Sequence, residues 1–105
     1  MELKLTEIEK TKTMWICDFD KDVFIRKGET FNLGLVFFDY KTKKFVSSCV
    51  GISSDSMGQM VTFTSIFENA FESFLWMEAK LYSSGFPYSE LPSIYKLKEK
   101  YKDNF

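Results

Sequence analysis

Four acidic residues in the first third of the chain have the spacing of the oxygen ligands in a calcium-binding loop. Asp18, Asp20 and Asp22 fall at alternate positions, and Glu29 is the twelfth residue counted from Asp18. An EF-hand loop also requires glycine at its sixth position and a helix on each side. The sixth residue is Val23, which suits that bend poorly, and both flanks have the composition of strands. The sequence therefore favours a turn between two strands, formed by aspartates, over a calcium site.

The same carboxylates are candidates for a magnesium site in phosphodiester chemistry. Glu78 and Lys80 add the Glu-x-Lys spacing of nuclease-type sites, but the periodicity places them in the middle of a helix. The chain contains no histidine, which excludes Ser–His and Cys–His nucleophilic arrangements. We therefore predict that the protein is not an enzyme and needs no metal or cofactor.

The stretch from residue 53 to residue 58 is a candidate site for an anionic ligand. It is small and polar and precedes a predicted helix, whose first backbone amides could hold a phosphate or carboxylate group. It lacks the lysine and glycine spacing of a Walker loop and the glycines of a dinucleotide fingerprint, so an ordinary loop with a helix cap is favoured. The alternative function is a homodimeric protein that binds a nucleotide-like anion with Ser53, Ser54, Asp55, Ser56 and Gly58.

The composition is that of one compact domain spanning residues 1–105, with a core rich in aromatic side chains. Twelve phenylalanines supply a large apolar area in a short chain. The net charge of −1 gives no general attraction to nucleic acid or to an anionic membrane, and no apolar run is long enough to span a bilayer. Arg26 is the only arginine, which further disfavours the recognition of bases.

The cysteines and the choice of basic residues indicate where the protein works. Cys17 and Cys49 have no tight spacing and follow no signal peptide, so reduced thiols in a cytoplasmic protein are expected. A disulfide remains an alternative if the two residues lie on neighbouring strands. The preference for lysine over arginine, together with abundant phenylalanine, hints at an AT-rich genome, such as that of a low-GC bacterium or its phage.

Hydrophobic patterning predicts several strands followed by two helices. Alternation and β-branched or aromatic residues indicate strands at 3–5, 13–19, 23–25, 30–38 and 45–52. A long helix is predicted from residue 59 to residue 83, with Gly85 as its stop, and a short C-terminal helix extends to residue 101. The fold class is therefore α+β, an antiparallel sheet of four to five strands with both helices packed on one face.

Both faces of the predicted sheet carry apolar side chains, although one layer of helices can cover only one of them. Alternation along the strand at 30–38 assigns one set to the face that meets the long helix: Phe31, Leu33, Leu35 and Phe37. The opposite face is predicted to bind a partner through Met14, Ile16, Val36 and Phe38. A second copy of the chain or another protein would cover it, unless the N-terminal strand or the C-terminal tail folds back over it.

Trp76 departs from the apolar arc of the long helix. On the helical wheel it projects from the polar side, near Glu72 and Lys80, and an exposed tryptophan is a good anchor for a protein partner. The other interpretation is that Trp76 packs beneath the C-terminal helix or the segment 85–88.

The C-terminal stretch from residue 95 carries four lysines interleaved with two tyrosines. Nucleic acid or an acidic partner is a candidate ligand for this stretch. A solvated helix face, with Ile94, Leu97 and Tyr101 docked inward, is favoured instead.

The missing catalytic residues, the surplus apolar face and Trp76 favour a non-enzymatic module that acts by contact with another protein. An inhibitor or immunity-type factor suits a small single domain, including a phage protein aimed at a host defence. We predict a cytoplasmic homodimer that has a protein partner, does not associate with membranes and does not bind nucleic acid.

Overall fold

The computed structural model describes residues 14–52 and 59–104. Five strands form one antiparallel sheet in chain order: Met14–Asp18 (β1), Val23–Lys27 (β2), Asn32–Asp39 (β3), Lys44–Ile52 (β4) and Met60–Phe67 (β5). Two helices, Ala70–Ser83 (α1) and Ile94–Lys100 (α2), pack on one face, and a short 3-10 turn, Lys102–Asn104, follows α2. The predicted α+β fold is confirmed, while the predicted strand at residues 3–5 lies outside the described residues.

The aspartate-rich segment forms the predicted turn between β1 and β2. Residues 19–22 connect the strands, and Asp18 Oδ1 accepts a hydrogen bond from the Lys21 amide at 3.1 Å. Asp22 completes the turn with φ 57°, a left-handed conformation that aspartate tolerates better than most residues. No group of three acidic or cysteine side chains suited to a metal ion occurs among the described residues.

The prediction of one helix from residue 59 to residue 83 is wrong for its first part, which forms β5. Exposed and half-buried residues alternate along the whole strand, and this is the period of a sheet. The segment is rich in β-branched residues, which favour a strand: Val61, Thr62, Thr64 and Ile66. Phe63 and Phe67 also have helical spacing, and this spacing continues the apolar arc of α1.

Helix α1 begins and ends at residues that cap its backbone. Asn69 Oδ1 accepts a hydrogen bond from the Glu72 amide at 3.1 Å, as an N-cap side chain does. At the other end Gly85 adopts φ 95°, and the Phe86 amide donates to the Leu81 carbonyl at 2.9 Å. This left-handed ending confirms Gly85 as the stop of the helix.

The core lies between the sheet and the helices. Its fully buried apolar side chains include Phe24, Val36, Phe45, Phe74, Met77, Leu81 and Leu97. Gly34 allows α1 to approach the sheet, because a Cβ at this position would lie 2.5 Å from Met77 Sδ. Leu97 and Tyr101 dock inward as predicted, whereas Ile94 is exposed. Within the described ranges, neither helix has the length and apolar character needed to cross a membrane.

Candidate partner-binding surface

The sheet has a face that neither α1 nor α2 covers, which we term the open face. Directly paired residues share a face, so the strand register shows which side chains lie together. One row crosses the sheet through Ile16, Ile25, Leu35, Ser48 and Thr64, so its last two members are polar. A second row runs through Val23, Phe37, Val46 and Ile66. The open face is therefore mainly apolar over β1 to β3, mixes apolar and hydroxyl side chains on β4 and β5, and exposes 61% of Ile66 at its edge.

A cavity of about 300 Å³ lies on this face. It is lined by Ile25, Leu35, Ser48, Val50 and Thr62, among others. A β-bulge next to it shapes the surface: the register between β2 and β3 shifts after Arg26, so that Leu33 is an extra residue on β3. A concave site that is mainly apolar, with a few polar groups at its wall, is the kind of place that receives an anchor side chain of a partner.

The structure separates the four sheet residues predicted to bind a partner. Met14 and Ile16 lie on the open face, 45% and 44% exposed. Val36 is fully buried and pairs with Phe24 on the face that the helices cover. Phe38 lies on that same face, where its ring packs against Tyr101 at a centroid distance of 5.5 Å. The prediction that Val36 and Phe38 lie on the face opposite the helices is therefore wrong.

The bulge explains this error. Leu33 and Val36 are both buried although they are three residues apart, which regular alternation cannot produce. Leu35 and Phe37, predicted to meet the long helix, lie on the open face instead. Because both faces of β3 are apolar, the hydrophobic pattern does not distinguish the covered face from the open one.

Trp76 is half-buried, so it is not the freely exposed anchor that the helical wheel suggested. Its ring packs against Phe67 of β5, with 5.7 Å between the ring centroids. Leu75 and Tyr82 are the large apolar side chains that α1 exposes most. A role of Trp76 in partner binding stays a prediction.

Two further sequence predictions concern residues outside the described ranges. The anion-binding prediction for Ser53, Ser54, Asp55, Ser56 and Gly58 lies outside the described residues. Cover of the open face by the N-terminal strand also concerns residues outside those ranges. Both therefore remain predictions.

The two cysteines are free thiols on β1 and β4, which are not neighbouring strands. The geometric condition for a disulfide between Cys17 and Cys49 is therefore not met. Burial raises the pKa of Cys17 above its ordinary value and raises the pKa of Cys49 to about 11. Neither side chain is a thiolate near neutral pH, so neither has the reactivity of a nucleophilic cysteine.

A buried ion pair links the sheet to α1. Arg26 Nε donates to Glu78 Oε2 at 2.7 Å, and both side chains are almost completely removed from solvent. The Trp15 indole donates to the same oxygen at 3.1 Å, and the Ser89 amide donates to Glu78 Oε1 at 2.8 Å. Arg26 Nη2 also donates to the Pro87 carbonyl at 2.8 Å. One carboxylate thus connects β1, β2, α1 and the segment before α2.

A second polar cluster surrounds Asp22. The hydroxyl groups of Tyr40 and Tyr101 donate to its carboxylate, and Lys100 Nζ lies 3.2 Å from Oδ1. Burial alone would raise the pKa of Asp22, but the hydrogen bonds from Tyr101 and Tyr40 and the Lys100 ammonium outweigh it and hold the pKa below its ordinary value. Burial, and then the hydrogen bond to Asp22, raise the pKa of Tyr101.

The free energy of unfolding should decrease in acid because of Asp22. Because its pKa is lower in the folded protein, the unfolded chain binds more protons in acid. This stabilisation is fully present above the ordinary aspartate pKa of about 3.9 and is lost as the pH falls through the folded-state value. Urea unfolding measured from pH 7 down to pH 2 should show the loss.

Asp22→Asn is the matched control for that experiment. Asparagine has the same shape and tolerates the left-handed backbone, but it does not titrate. The variant should be less stable than the wild type at pH 7, and its stability should fall less steeply in acid. If the free energy of unfolding fell equally steeply in acid in both proteins, the role given to Asp22 would be contradicted.

The two buried polar clusters find their hydrogen-bond partners within the protein. Among the described residues, every buried side-chain nitrogen or oxygen has a hydrogen-bond partner. The open face is different, because no described helix packs on it and its apolar side chains are half-buried or exposed. Comparisons with models of protein families, with curated proteins and with solved structures found no match to this chain.

Proposed function

We propose that the protein acts by binding another protein through the open face of its sheet. The observation that supports this function is the group of apolar side chains that the two rows place on this face, with Met14 and Ile16 at the β1 edge nearly half exposed. Apolar area of this kind is stabilised when a second surface removes it from water.

The size of the open face fits a protein contact. Its strands are 5 to 9 residues long. With about 4.8 Å between strands and 3.3 Å per residue, the face measures roughly 550 Å². A standard interface buries about 800 Å² on each partner. The open face and a modest rim around it therefore supply enough surface for a specific complex.

The cavity among Ile25, Leu35 and Val50 indicates what the partner should present. A projecting aliphatic or aromatic side chain would fill it, surrounded by flatter apolar contacts along the two rows. Ser48 and Thr62 offer hydroxyl groups at the wall of the cavity that can orient a polar group of the partner.

The more specific parts of the proposal, which concern the class of protein and its location, rest on the sequence alone. A cytoplasmic inhibitor or immunity-type factor, such as a phage protein aimed at a host defence, would need only such a contact surface. A homodimer would use the same surface against a second copy of the chain. The two occupants are distinguished by the mass of the complex.

Site-specific photo-crosslinking in the cells that express the chain tests this function. A photoreactive amino acid replaces Ile16 on the open face or, as the control, Tyr95 on α2, which is 86% exposed. We expect one discrete cross-linked protein from position 16 and none from position 95. Adding Leu35→Lys should reduce the product about tenfold or more, because a charge at the centre of an apolar contact is costly.

The mass of the product identifies the occupant. A product of twice the 12.3 kDa mass of the chain would assign the open face to a second copy. A product of another discrete mass would identify a different protein as the partner. If position 16 gave no product, or gave the same products as position 95, the open face would not be the binding surface.

A further inference from the structure

A groove of about 570 Å³ lies on the molecule between the β3–β4 turn and the C-terminal turn. Three aromatic side chains, Phe38, Tyr40 and Tyr101, line it together with three lysines, Lys43, Lys100 and Lys102. Phe38 lies on the helix-covered side of the sheet, so the groove is separate from the open face. The proposed function makes no use of this groove.

The groove has an excess of positive charge. Lys43 and Lys102 have no ion pair within the described part of the chain. Lys100 is partly neutralised, because its Nζ lies 3.2 Å from Asp22 Oδ1. Asp103 is the one acidic residue in the lining of the groove. Two ammonium groups that have no ion pair among the described residues therefore border a partly enclosed space, and a bound anion would neutralise them.

Hydrogen bonds hold the two sides of the groove together. Asn104 Nδ2 donates to the Lys43 carbonyl at 2.8 Å and to the Glu68 carbonyl at 3.1 Å. Asp22 accepts from Tyr40 on one side of the groove and from Tyr101 on the other. The backbone that carries the lysines is thus fixed before any ligand binds, which lowers the entropy cost of binding.

Lys43 has an unusual backbone conformation for its residue type. Its φ of 61° lies in the left-handed region, where a turn of this kind usually has glycine or asparagine. A lysine at such a position costs stability, and strained residues of this kind concentrate at binding sites. Lys43 lines the groove, and a glycine at this position would relieve the strain but supply no charge there.

We propose that this groove binds the phosphate monoester of an aromatic group. The phosphoryl group of the ligand would lie among Lys43, Lys100 and Lys102, and its aromatic ring would lie against Phe38 and Tyr40. A phosphoryl group carries close to two negative charges near neutral pH and has three acceptor oxygens, which match several ammonium donors better than one carboxylate does. Tyr40 is 60% exposed, so its ring is accessible to a ligand.

Titration of the full chain with phenyl phosphate, followed by the backbone amide resonances in NMR, tests the proposal. We expect saturable shifts at Lys43, Lys102 and Asn104, with a Kd of the order of 1 mM. Inorganic phosphate should bind more weakly because it lacks the ring. Phenol should not saturate because it lacks the charge.

Two lysine variants and two matched controls locate the site. Lys43→Gln and Lys102→Gln should each weaken phenyl phosphate binding about fivefold through the loss of one charge-assisted hydrogen bond. Lys41→Gln, in the same turn but outside the groove lining, and Lys98→Gln on α2 should leave the Kd unchanged. Unshifted amide resonances away from the groove would verify that each variant is folded.

Several results would overturn the proposal. One is the absence of saturation below about 20 mM phenyl phosphate. Another is an equal loss of binding in Lys41→Gln and Lys43→Gln, which would indicate general charge attraction. Equal binding of phenol and phenyl phosphate would exclude the phosphoryl contact, and equal binding of inorganic phosphate and phenyl phosphate would exclude the ring contact.

Discussion

Replacing Glu78 with glutamine should lower the free energy of unfolding by about 3–5 kcal/mol. The substitution keeps the shape of the side chain but removes the negative charge next to Arg26, which is fully buried. A buried charge without a counter-ion is costly because it has lost its hydration. Urea unfolding followed by circular dichroism measures the change, and an unchanged m-value would show that the unfolding transition is otherwise the same.

Two controls separate charge from packing in that experiment. Glu99→Gln removes a charge from an exposed position on α2 and should change the stability by less than about 0.5 kcal/mol. The double variant Arg26→Gln with Glu78→Gln removes both charges but keeps a polar acceptor for the Trp15 indole and the Ser89 amide, and it should recover part of the loss. A double variant less stable than Glu78→Gln alone would contradict the explanation from the uncompensated charge.

Replacing Phe24 with alanine should cost about 3–5 kcal/mol of stability. The ring is fully buried and lies edge-on to Phe19, Phe74 and Tyr101, with centroid distances of 5.2, 5.2 and 6.3 Å. The variant loses apolar burial and these aromatic contacts, and the rigid rings around the cavity cannot close it.

Phe31→Ala is the matched control for Phe24→Ala, since it removes the same atoms from a side chain that is 47% exposed. It should cost less than about 1 kcal/mol. Thermal unfolding of both variants and the wild type under one set of conditions makes the comparison. Similar melting temperatures for the two variants would show that Phe24 does not have the central place in the core that its burial implies.

The fold could be predicted from the sequence where local signals and tertiary packing agree. The aspartates at residues 18–22 predict a turn, and Gly85 predicts the end of α1, because both positions need a left-handed backbone nearby. The segment 60–67 was mistaken for helix because Phe63 and Phe67 fit both periods. Its β-branched threonines, one on each side of Phe63, were the signal for a strand.

The candidate surface could be predicted only in part. A surplus of apolar side chains on the sheet is visible in the sequence, and Met14 and Ile16 were assigned to the open face correctly. The assignment of β3 failed because a bulge at Leu33 changes the phase of the strand, and the one signal for it, Gly34 inside the strand, does not give the direction of the shift.

The buried polar clusters were missed because their members are far apart in sequence. Arg26 and Glu78 are separated by 52 positions, and only the structure brings them to 2.7 Å. One signal was available: Arg26 follows Phe24 by two residues, so the alternation of β2 places this single arginine on the same face as a core phenylalanine. An arginine at such a position requires a buried acidic partner.

The order of the strands has a consequence for the way the chain folds. Each described strand pairs with its neighbours in sequence, so the described sheet requires mainly the closure of short loops. Short closures cost little chain entropy and favour rapid folding. The hydrogen bonds between Trp15 and Glu78, 63 positions apart, and between Asp22 and Tyr101, 79 positions apart, need segments that are distant in sequence to meet. Sheet assembly can therefore proceed hairpin by hairpin, while docking of the helices carries the larger entropic barrier.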